Sequence, residues 1–188
     1  MEMSKTVCPW WWLGYFLAHP LRRRIHDPAG LLRPFVSEGM TVLEPGPGMG
    51  FFTLELARLA GPSGRVVAVD VQPRMLEEVR RRSEKEGLSS RIDARLARGD
   101  GMGVDDLVGK IDFVLAFAVV HEMPDAGRFF SEASRAMMRG GRLLLAEPRF
   151  EVSERELTET LAAAERYGLR TERRLSIRWS RAAVLVRD

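Results

Sequence analysis

A short apolar run that passes directly into a glycine-rich turn constrains this 188-residue chain most strongly. The run Thr41–Glu44 is followed by Gly46, Gly48 and Gly50, and an apolar helical pattern begins at Phe51. An ordinary turn between a strand and a helix needs one glycine at most, whereas three at alternate positions let a ligand approach the main chain closely. The pattern therefore predicts a nucleotide-type ligand at the carboxyl edge of a parallel sheet.

Short apolar runs alternate with helical patterns along the rest of the chain, which is typical of a parallel sheet covered by helices. The last two runs are separated by about four residues, so we expect them to pair antiparallel as a hairpin. The predicted fold class is α/β, a doubly wound, Rossmann-like, seven-stranded and mostly parallel sheet with an antiparallel last strand and helices on both faces. The predicted strands are Thr41–Glu44, Arg65–Asp70, Ile92–Ala97, Ile111–Phe117, Arg142–Ala146, Leu169–Ser176 and Ala182–Val186.

Helix start and stop signals lie in the segments between these runs. One helix is predicted over Phe51–Ala60, and a second from Pro73 to a stop at Gly87. A third is expected to start after Asp125, to carry Phe129, Ala133 and Met137 on one face, and to close at Gly140-Gly141. Ser153 and Glu156 form a capping-box pattern before a fourth helix that ends at Gly168.

Length and composition favour one globular domain over residues 1–188, divided into an N-terminal cap or lid segment (1–40) and a core (41–188). Apolar residues make up 45% of the chain, which is too many for a mainly disordered protein. The longest apolar stretches, Trp10–Ala18 and Phe113–Val120, are far shorter than the roughly 20 residues of a membrane helix. The single cysteine, Cys8, excludes an internal disulfide and a multi-cysteine metal site and favours a cytoplasmic location. His19 and His26 could join it at a metal, but their spacing matches no recognised metal motif, so no metal is predicted.

Two acidic residues extend the ligand hypothesis. Asp70 ends the second predicted strand, beside the glycine turn, where a carboxylate can accept both hydroxyls of a ribose. The simpler alternative is that Asp70 caps the helix at Pro73. Asp100 follows the third strand and can accept from an adenine amino group, with the Gly101 main-chain N–H as a donor.

A nicotinamide-binding oxidoreductase is the main competitor for this pattern. Its fingerprint is G-x-G-x-x-G, which presents a pyrophosphate to a helix N-terminus, whereas this chain reads G-x-G-x-G. Glu44 stands two residues before the first glycine, and Gly46–Phe51 contains no basic residue. A negative group there suits a ligand with a positive amine or sulfonium better than a pyrophosphate.

These residues together resemble the class I S-adenosylmethionine-dependent methyltransferases. The resemblance is to the small-molecule (methyltransferase type 11) group that includes the ubiquinone/menaquinone C-methyltransferases and the arsenite methyltransferases. It is carried by Leu43–Gly50, Val67–Asp70, Gly99–Gly101, Ile111–Glu122 and Met138–Leu143. It implies S-adenosylmethionine as cofactor and S-adenosylhomocysteine as product. The cofactor-binding residues that it implies are Glu44, Gly46, Pro47, Gly48, Gly50, Asp70, Val71, Gln72, Met75, Asp100, Gly101 and Phe117.

Departures from the family patterns reduce the range of methyl acceptors that we expect for this chain. Arsenite methyltransferases bind arsenic through several cysteines, and this chain has one. The (Asp/Asn)-Pro-Pro-aromatic motif of amino-directed DNA and RNA methyltransferases is absent, and no dedicated nucleic-acid module is evident. We therefore expect a small or lipophilic acceptor, while the sequence sets neither the methylated atom nor the oligomeric state.

Methyl transfer from a sulfonium is an in-line displacement, so the protein must chiefly align the two reactants and exclude water. A general base is needed only for an acceptor that arrives protonated. His121, just past the fourth strand, is the first candidate and Glu122 the second. The alternatives are that His121 fixes the following loop and that Glu122 caps the next helix.

The aromatic cluster Trp10–Tyr15 precedes the sheet, where the resembled family builds a lid. Trp11 and Trp12 would supply stacking area for the acceptor, and Tyr15 would orient it. The alternative for this cluster is plain packing, because large aromatic side chains are usually buried for their area alone. For the whole chain, an NAD(P)-dependent oxidoreductase and a non-catalytic S-adenosylmethionine-binding protein stay open as other functions.

Overall fold

The computed structural model describes residues 27–97 and 101–188. It contains one seven-stranded sheet in the order β3-β2-β1-β4-β5-β7-β6. The strands are β1 Thr41–Pro45, β2 Arg65–Asp70, β3 Ile92–Leu96, β4 Ile111–Phe117, β5 Met137–Pro148, β6 Leu169–Ile177 and β7 Ser180–Arg187. β7 lies between β5 and β6 and runs antiparallel to both, whereas the other pairs are parallel. The predicted fold class is confirmed.

Helices cover both faces of this sheet, and most of them begin where the sequence signals predict. They are α1 Pro28–Leu32, α2 Thr53–Ala60, α3 Pro73–Lys85, α4 Ala126–Ala136 and α5 Glu154–Glu165. The Asp125 carboxylate accepts from the Arg128 main-chain N–H and so caps α4. Ser153 and Glu156 form a complete capping box at the start of α5. These caps supply partners for main-chain N–H groups that a helix start leaves unpaired.

The core is split by the sheet into two apolar layers, as expected when both faces are covered. Val42 and Leu43 are both fully buried, but they belong to opposite layers because successive strand side chains point to opposite faces. One layer packs β-strand residues against α4 and α5, and the other packs them against α1 and α2. Phe35, which follows α1, stacks on Phe113 of β4 with ring centroids 5.5 Å apart.

One local prediction is wrong. Met137 does not belong to the helix before it, and Gly140-Gly141 do not close that helix. The helix ends at Ala136, and all three residues lie in β5. The main-chain N–H groups of Gly109 and Lys110 donate to the carbonyls of Arg135 and Ala136, which ties the helix end to the chain before β4. β5 then pairs with β4 through Met137, bulges, and resumes pairing at Arg142.

Within the described ranges, no helix is long and apolar enough to cross a membrane.

Candidate functional site

Three buried carboxylates mark the carboxyl edge of the sheet. Glu44 lies near the end of β1, Asp70 ends β2, and Glu147 lies near the end of β5, and their exposed fractions are 3%, 8% and 2%. Acidic side chains are almost never buried to this degree unless they are paired or bind a ligand. The edge that the glycine turn predicts as the ligand site is therefore also where the fold concentrates buried charge.

The glycine turn connects this edge to α2. A side chain at Gly46 would be doubly unfavourable, since φ is +66° and a Cβ would lie 2.5 Å from Val119 Cγ2. The backbone at Gly48 is also left-handed, with φ +52°, but a Cβ there would meet no described atom within 4 Å. Gly46 is thus required by the neighbouring strand end, while Gly48 faces open space in which a ligand can approach the main chain. Pro47 and Gly50 are buried.

Glu44 carries a buried oxygen, Oε2, with no hydrogen-bond partner among the described residues. Burial raises the pKa of this carboxyl from its ordinary 4.5 to about 8; the nearby Thr53 side chain opposes this increase in pKa, and the charge of Asp70 adds to it. An unpartnered buried carboxylate oxygen is costly unless a ligand supplies a donor or a positive charge. The position of Glu44 is chemically suited to a cationic or amine-bearing ligand.

Asp70 joins the end of β2 to the glycine turn. Its Oδ1 accepts from the Gln72 main-chain N–H at 2.8 Å, and the carboxylate also accepts from the main-chain N–H groups of Gly48 and Val71. Burial raises the pKa of Asp70, and these main-chain donors offset part of that increase. The N-cap of α3 is Gln72, without a side-chain cap, so Asp70 bonds the amide of the capping residue rather than acting as the N-cap itself.

The other predicted cofactor residues line this edge to different degrees. Val71 is 61% exposed, Gln72 is half-buried, and Met75 is buried in α3. Phe117, at the end of β4, is half-buried with its ring centroid 4.6 Å from that of Phe52. Gly101 lies beside α4, where the Glu132 carboxylate accepts from the next main-chain N–H, that of Met102, at 2.7 Å. Asp100 lies outside the described residues, as do Trp11, Trp12 and Tyr15.

The His121 ring sits in the turn Val120–Glu122, directly after β4, between two carboxylates. Its Nδ1 lies 2.5 Å from Glu147 Oε2, and its Nε2 lies 2.9 Å from Glu151 Oε2. Burial alone would lower the pKa of this imidazole, but the bonds and charges of the two carboxylates outweigh it and raise the pKa to about 9. The ring therefore carries a proton at neutral pH, and its two N–H groups point at the two carboxylates.

Glu122 lies exposed in the same turn. Partial burial raises the pKa of its carboxyl, and Glu122 in turn contributes to the raised pKa of Asp70, so the turn after β4 faces the end of β2. Asp125, and not Glu122, caps the following helix.

Glu147 is a site residue that the sequence reasoning missed. Its Oε1 accepts from the main-chain N–H groups of Val120 and His121 at 2.9 and 3.3 Å, while Oε2 bonds the His121 ring. The available signal was the pair Glu147-Pro148 at the end of an apolar strand, which repeats Glu44-Pro45. Ala118, between β4 and this turn, has φ +55°, a conformation that non-glycine residues seldom adopt outside constrained sites.

No group of three or more His, Cys, Asp or Glu in the described part of the chain is arranged to hold a metal ion.

Comparison with known proteins shows similarity over most of the chain. The sequence profile of a family described as "Methyltransferase domain" matches residues 36–179. The chain is 34% identical to a ubiquinone biosynthesis O-methyltransferase of Methylocella silvestris, over 63% of this chain and 43% of that protein. It is 30% identical to an arsenite methyltransferase of Halobacterium salinarum, over 60% of this chain and 28% of that protein. The matched region thus spans less than half the length of these curated relatives.

The fold also matches a solved structure along nearly its whole length. A SAM-dependent methyltransferase from Aquifex aeolicus superposes with a TM-score of 0.81, covering 98% of both chains at 24% sequence identity. At this identity the likeness establishes the shared fold.

Proposed function

Because the chain belongs to the methyltransferase domain family, we propose that it transfers a methyl group from S-adenosylmethionine to a small or lipophilic acceptor and releases S-adenosylhomocysteine. The resemblance to S-adenosylmethionine-dependent methyltransferases that the motifs indicate is confirmed at the level of the family. The family match does not favour an NAD(P)-dependent oxidoreductase.

The observation that carries this proposal is the buried Glu44 Oε2, which has no hydrogen-bond partner among the described residues, at the strand end that leads into the glycine turn. S-adenosylmethionine brings an ammonium group and a sulfonium, either of which would complete a buried carboxylate, whereas a pyrophosphate offers neither a donor nor a positive charge. The residues present therefore fit this cofactor. When bound, it would supply a sulfonium-activated methyl group, whose carbon is open to in-line attack by the acceptor's nucleophile with S-adenosylhomocysteine as the leaving group.

We assign the cofactor's parts to the edge as follows. Glu44 faces the positive amino acid end, and the main chain of the glycine turn lies along the ligand. Asp70 accepts the ribose hydroxyls, because its carboxylate is already oriented by three main-chain donors. The adenine is proposed to lie beside Val71, Gln72 and Met75, with Asp100 and Gly101 at its amino group and Phe117 on the side of β4. Pro47 and Gly50 hold the shape of the turn.

The acceptor is proposed to bind on the β4 side of the same edge. His121 and Glu122 stay our predictions for groups that act on it, and the proton on His121 means that a base role would require that proton to be lost first. Trp11, Trp12 and Tyr15 are proposed as a lid over it. Support for a cap next to the core comes from α1 and Phe35, which pack on the sheet layer that contains Phe113.

We also propose that residues 1–188 form one domain with 1–40 as the cap, and that it works in the cytoplasm, where a chain with one cysteine is common. The acceptor is the small-molecule partner of this domain.

A turnover experiment tests the function and separates it from a protein that only binds the cofactor. The purified chain is incubated with S-adenosylmethionine and a panel of quinols, phenols, carboxylates, thiols and amines, and S-adenosylhomocysteine is quantified by mass spectrometry. The proposal expects its formation to depend on one acceptor class and to disappear in Asp70→Asn. Binding of S-adenosylmethionine without turnover on any class would favour the non-catalytic alternative.

A further inference from the structure

The two carboxylates on His121 differ in how firmly the fold holds them. Glu147 is 2% exposed, and its two oxygens take three bonds, from the ring and from the Val120 and His121 main-chain N–H groups. Glu151 lies in the loop after β5 with its side chain 60% exposed, and among the described residues its Oε2 bonds His121 Nε2. Glu147 is therefore a fixed partner of His121. The exposed Glu151 carboxylate can exchange His121 for solvent with a small loss of free energy.

The His121 ring that these carboxylates hold presents an N–H group in a fixed direction. Glu147 fixes its orientation through Nδ1, so Nε2–H has one direction in which to donate. The pKa of about 9 keeps both N–H groups present at neutral pH. The anionic groups around the ring are Glu147 from β5, Glu151 from the loop that follows, and Glu122 from its own turn.

This ring lies on the side of the edge where the acceptor is proposed to bind. Val119, which precedes the turn, contacts Gly46 so closely that no Cβ fits between them. Glu122, which follows His121, interacts electrostatically with Asp70. The turn therefore adjoins both cofactor-side residues, on the β4 side of the edge.

From this geometry we infer that His121 is an acceptor-binding residue that donates its Nε2–H to an ionised oxygen of the acceptor, and that the Glu151 carboxylate holds this position until the acceptor replaces it. The inference rests on the proposed function and names its substrate class, namely a small molecule with a carboxylate, phenolate or enolate oxygen. Charge-assisted bonds of this kind are roughly twice as strong as neutral ones, so they discriminate ionised from neutral acceptors. Glu147 acts through His121 and is a positioning residue.

The test uses benzoate and its neutral match benzamide as probes on the full chain saturated with S-adenosylhomocysteine. Affinities are measured by calorimetry, and ¹⁵N-histidine spectra report the Nε2 of His121, assigned with His121→Gln. Glu151→Ala removes the competing carboxylate, so we expect benzoate to bind roughly tenfold more tightly than to the unaltered chain, with benzamide unchanged. The same variant lowers the pKa of His121, and benzoate should raise it again.

Two controls decide between outcomes. Glu159→Ala removes an exposed α5 carboxylate that pairs with Arg155, and it should leave both probes unaffected. His121→Gln should abolish the preference for benzoate over benzamide. Benzoate that binds Glu151→Ala no more tightly than the unaltered chain, or without a shift at Nε2, overturns the inference while cofactor binding stands. Failure of S-adenosylhomocysteine to bind the unaltered chain would instead overturn the proposed function, and the acceptor class with it.

Discussion

The β1–β2 and β4–β5 halves of the sheet's carboxyl edge differ in how their buried carboxyl groups are hydrogen-bonded. On the β1–β2 side, and among the residues that the structure describes, Glu44 has a buried oxygen without a hydrogen-bond partner, and Asp70 accepts from main-chain donors. On the β4–β5 side, Glu147 and His121 satisfy each other through side chains that come from positions 26 residues apart. We propose that the first half takes a ligand that brings positive charge, and that the second, an ion pair between His121 and Glu147, exchanges the partner at its exposed end.

The largest expected effect separates stability from ligand binding. Glu147→Ala leaves a half-buried imidazolium and two main-chain N–H groups without their acceptor, and we expect the free energy of unfolding to fall by about 3 kcal/mol. Cofactor affinity should change less than about threefold. Urea unfolding and calorimetric titration with S-adenosylmethionine measure the two quantities. A loss of cofactor-binding free energy as large as the loss of unfolding free energy would contradict the distinction between the two halves of the edge.

Asp70→Asn should show the reverse pattern. Loss of the charged acceptor for two ribose hydroxyls is expected to weaken S-adenosylmethionine binding roughly 100-fold, because bonds to charged groups contribute about 1.5–3 kcal/mol each. Asp112→Asn is the matched control, since Asp112 accepts from the Thr41 main-chain N–H at the opposite end of β1. Equal losses of affinity in the two variants would place the cofactor elsewhere.

Gly46→Ala tests the contact that joins the halves. The new Cβ would collide with Val119 and occupy a left-handed backbone, so we expect a loss of about 2–4 kcal/mol in the free energy of unfolding. Gly109 has nearly the same φ, +68°, and no described atom near a new Cβ. Gly109→Ala should therefore cost about 1 kcal/mol, from backbone strain alone. Similar losses in urea unfolding would mean that Val119 does not press on the glycine turn.

A pH dependence of stability follows from the two raised pKa values. Glu44 has a pKa of about 8 in the folded chain against an ordinary 4.5, so the folded chain holds a proton there that the unfolded chain has lost. His121, at about 9 against 6.5, acts in the same direction at higher pH. The free energy of unfolding should therefore fall as pH rises from about 5 to 8, and fall further toward 9.

Glu44→Gln should flatten the slope between pH 5 and 8 and leave the part due to His121. It should also weaken S-adenosylmethionine binding roughly tenfold, through loss of one charged partner. Urea unfolding at unit pH steps gives the slope. A stability that rises over this range in the unaltered chain would contradict the assigned protonation of Glu44.

The difference between the halves also explains why the site residues of one half can be predicted from the sequence and Glu147 in the other cannot. The glycine turn and Asp70 are local signals, since spacing along one βα unit and the end of the next strand suffices to place them. Glu147 acts only because β5 pairs beside β4, and no local spacing links it to His121. Likewise, Gly140-Gly141 carries a genuine helix-stop signal, but pairing of Met137 with β4 ended the helix earlier. Long-range pairing decided both cases, so sequence periodicity predicted the seven strands and missed these two details.

The most direct test of the central claim is calorimetric titration of the unaltered chain with S-adenosylmethionine, S-adenosylhomocysteine and NADH. The account predicts that both adenosyl compounds bind one site per chain with linked proton release as Glu44 ionises, and that NADH produces only heat of dilution. Binding of NADH without binding of either adenosyl compound would contradict the assignment of the glycine turn and Glu44, and the proposed methyltransferase activity with it.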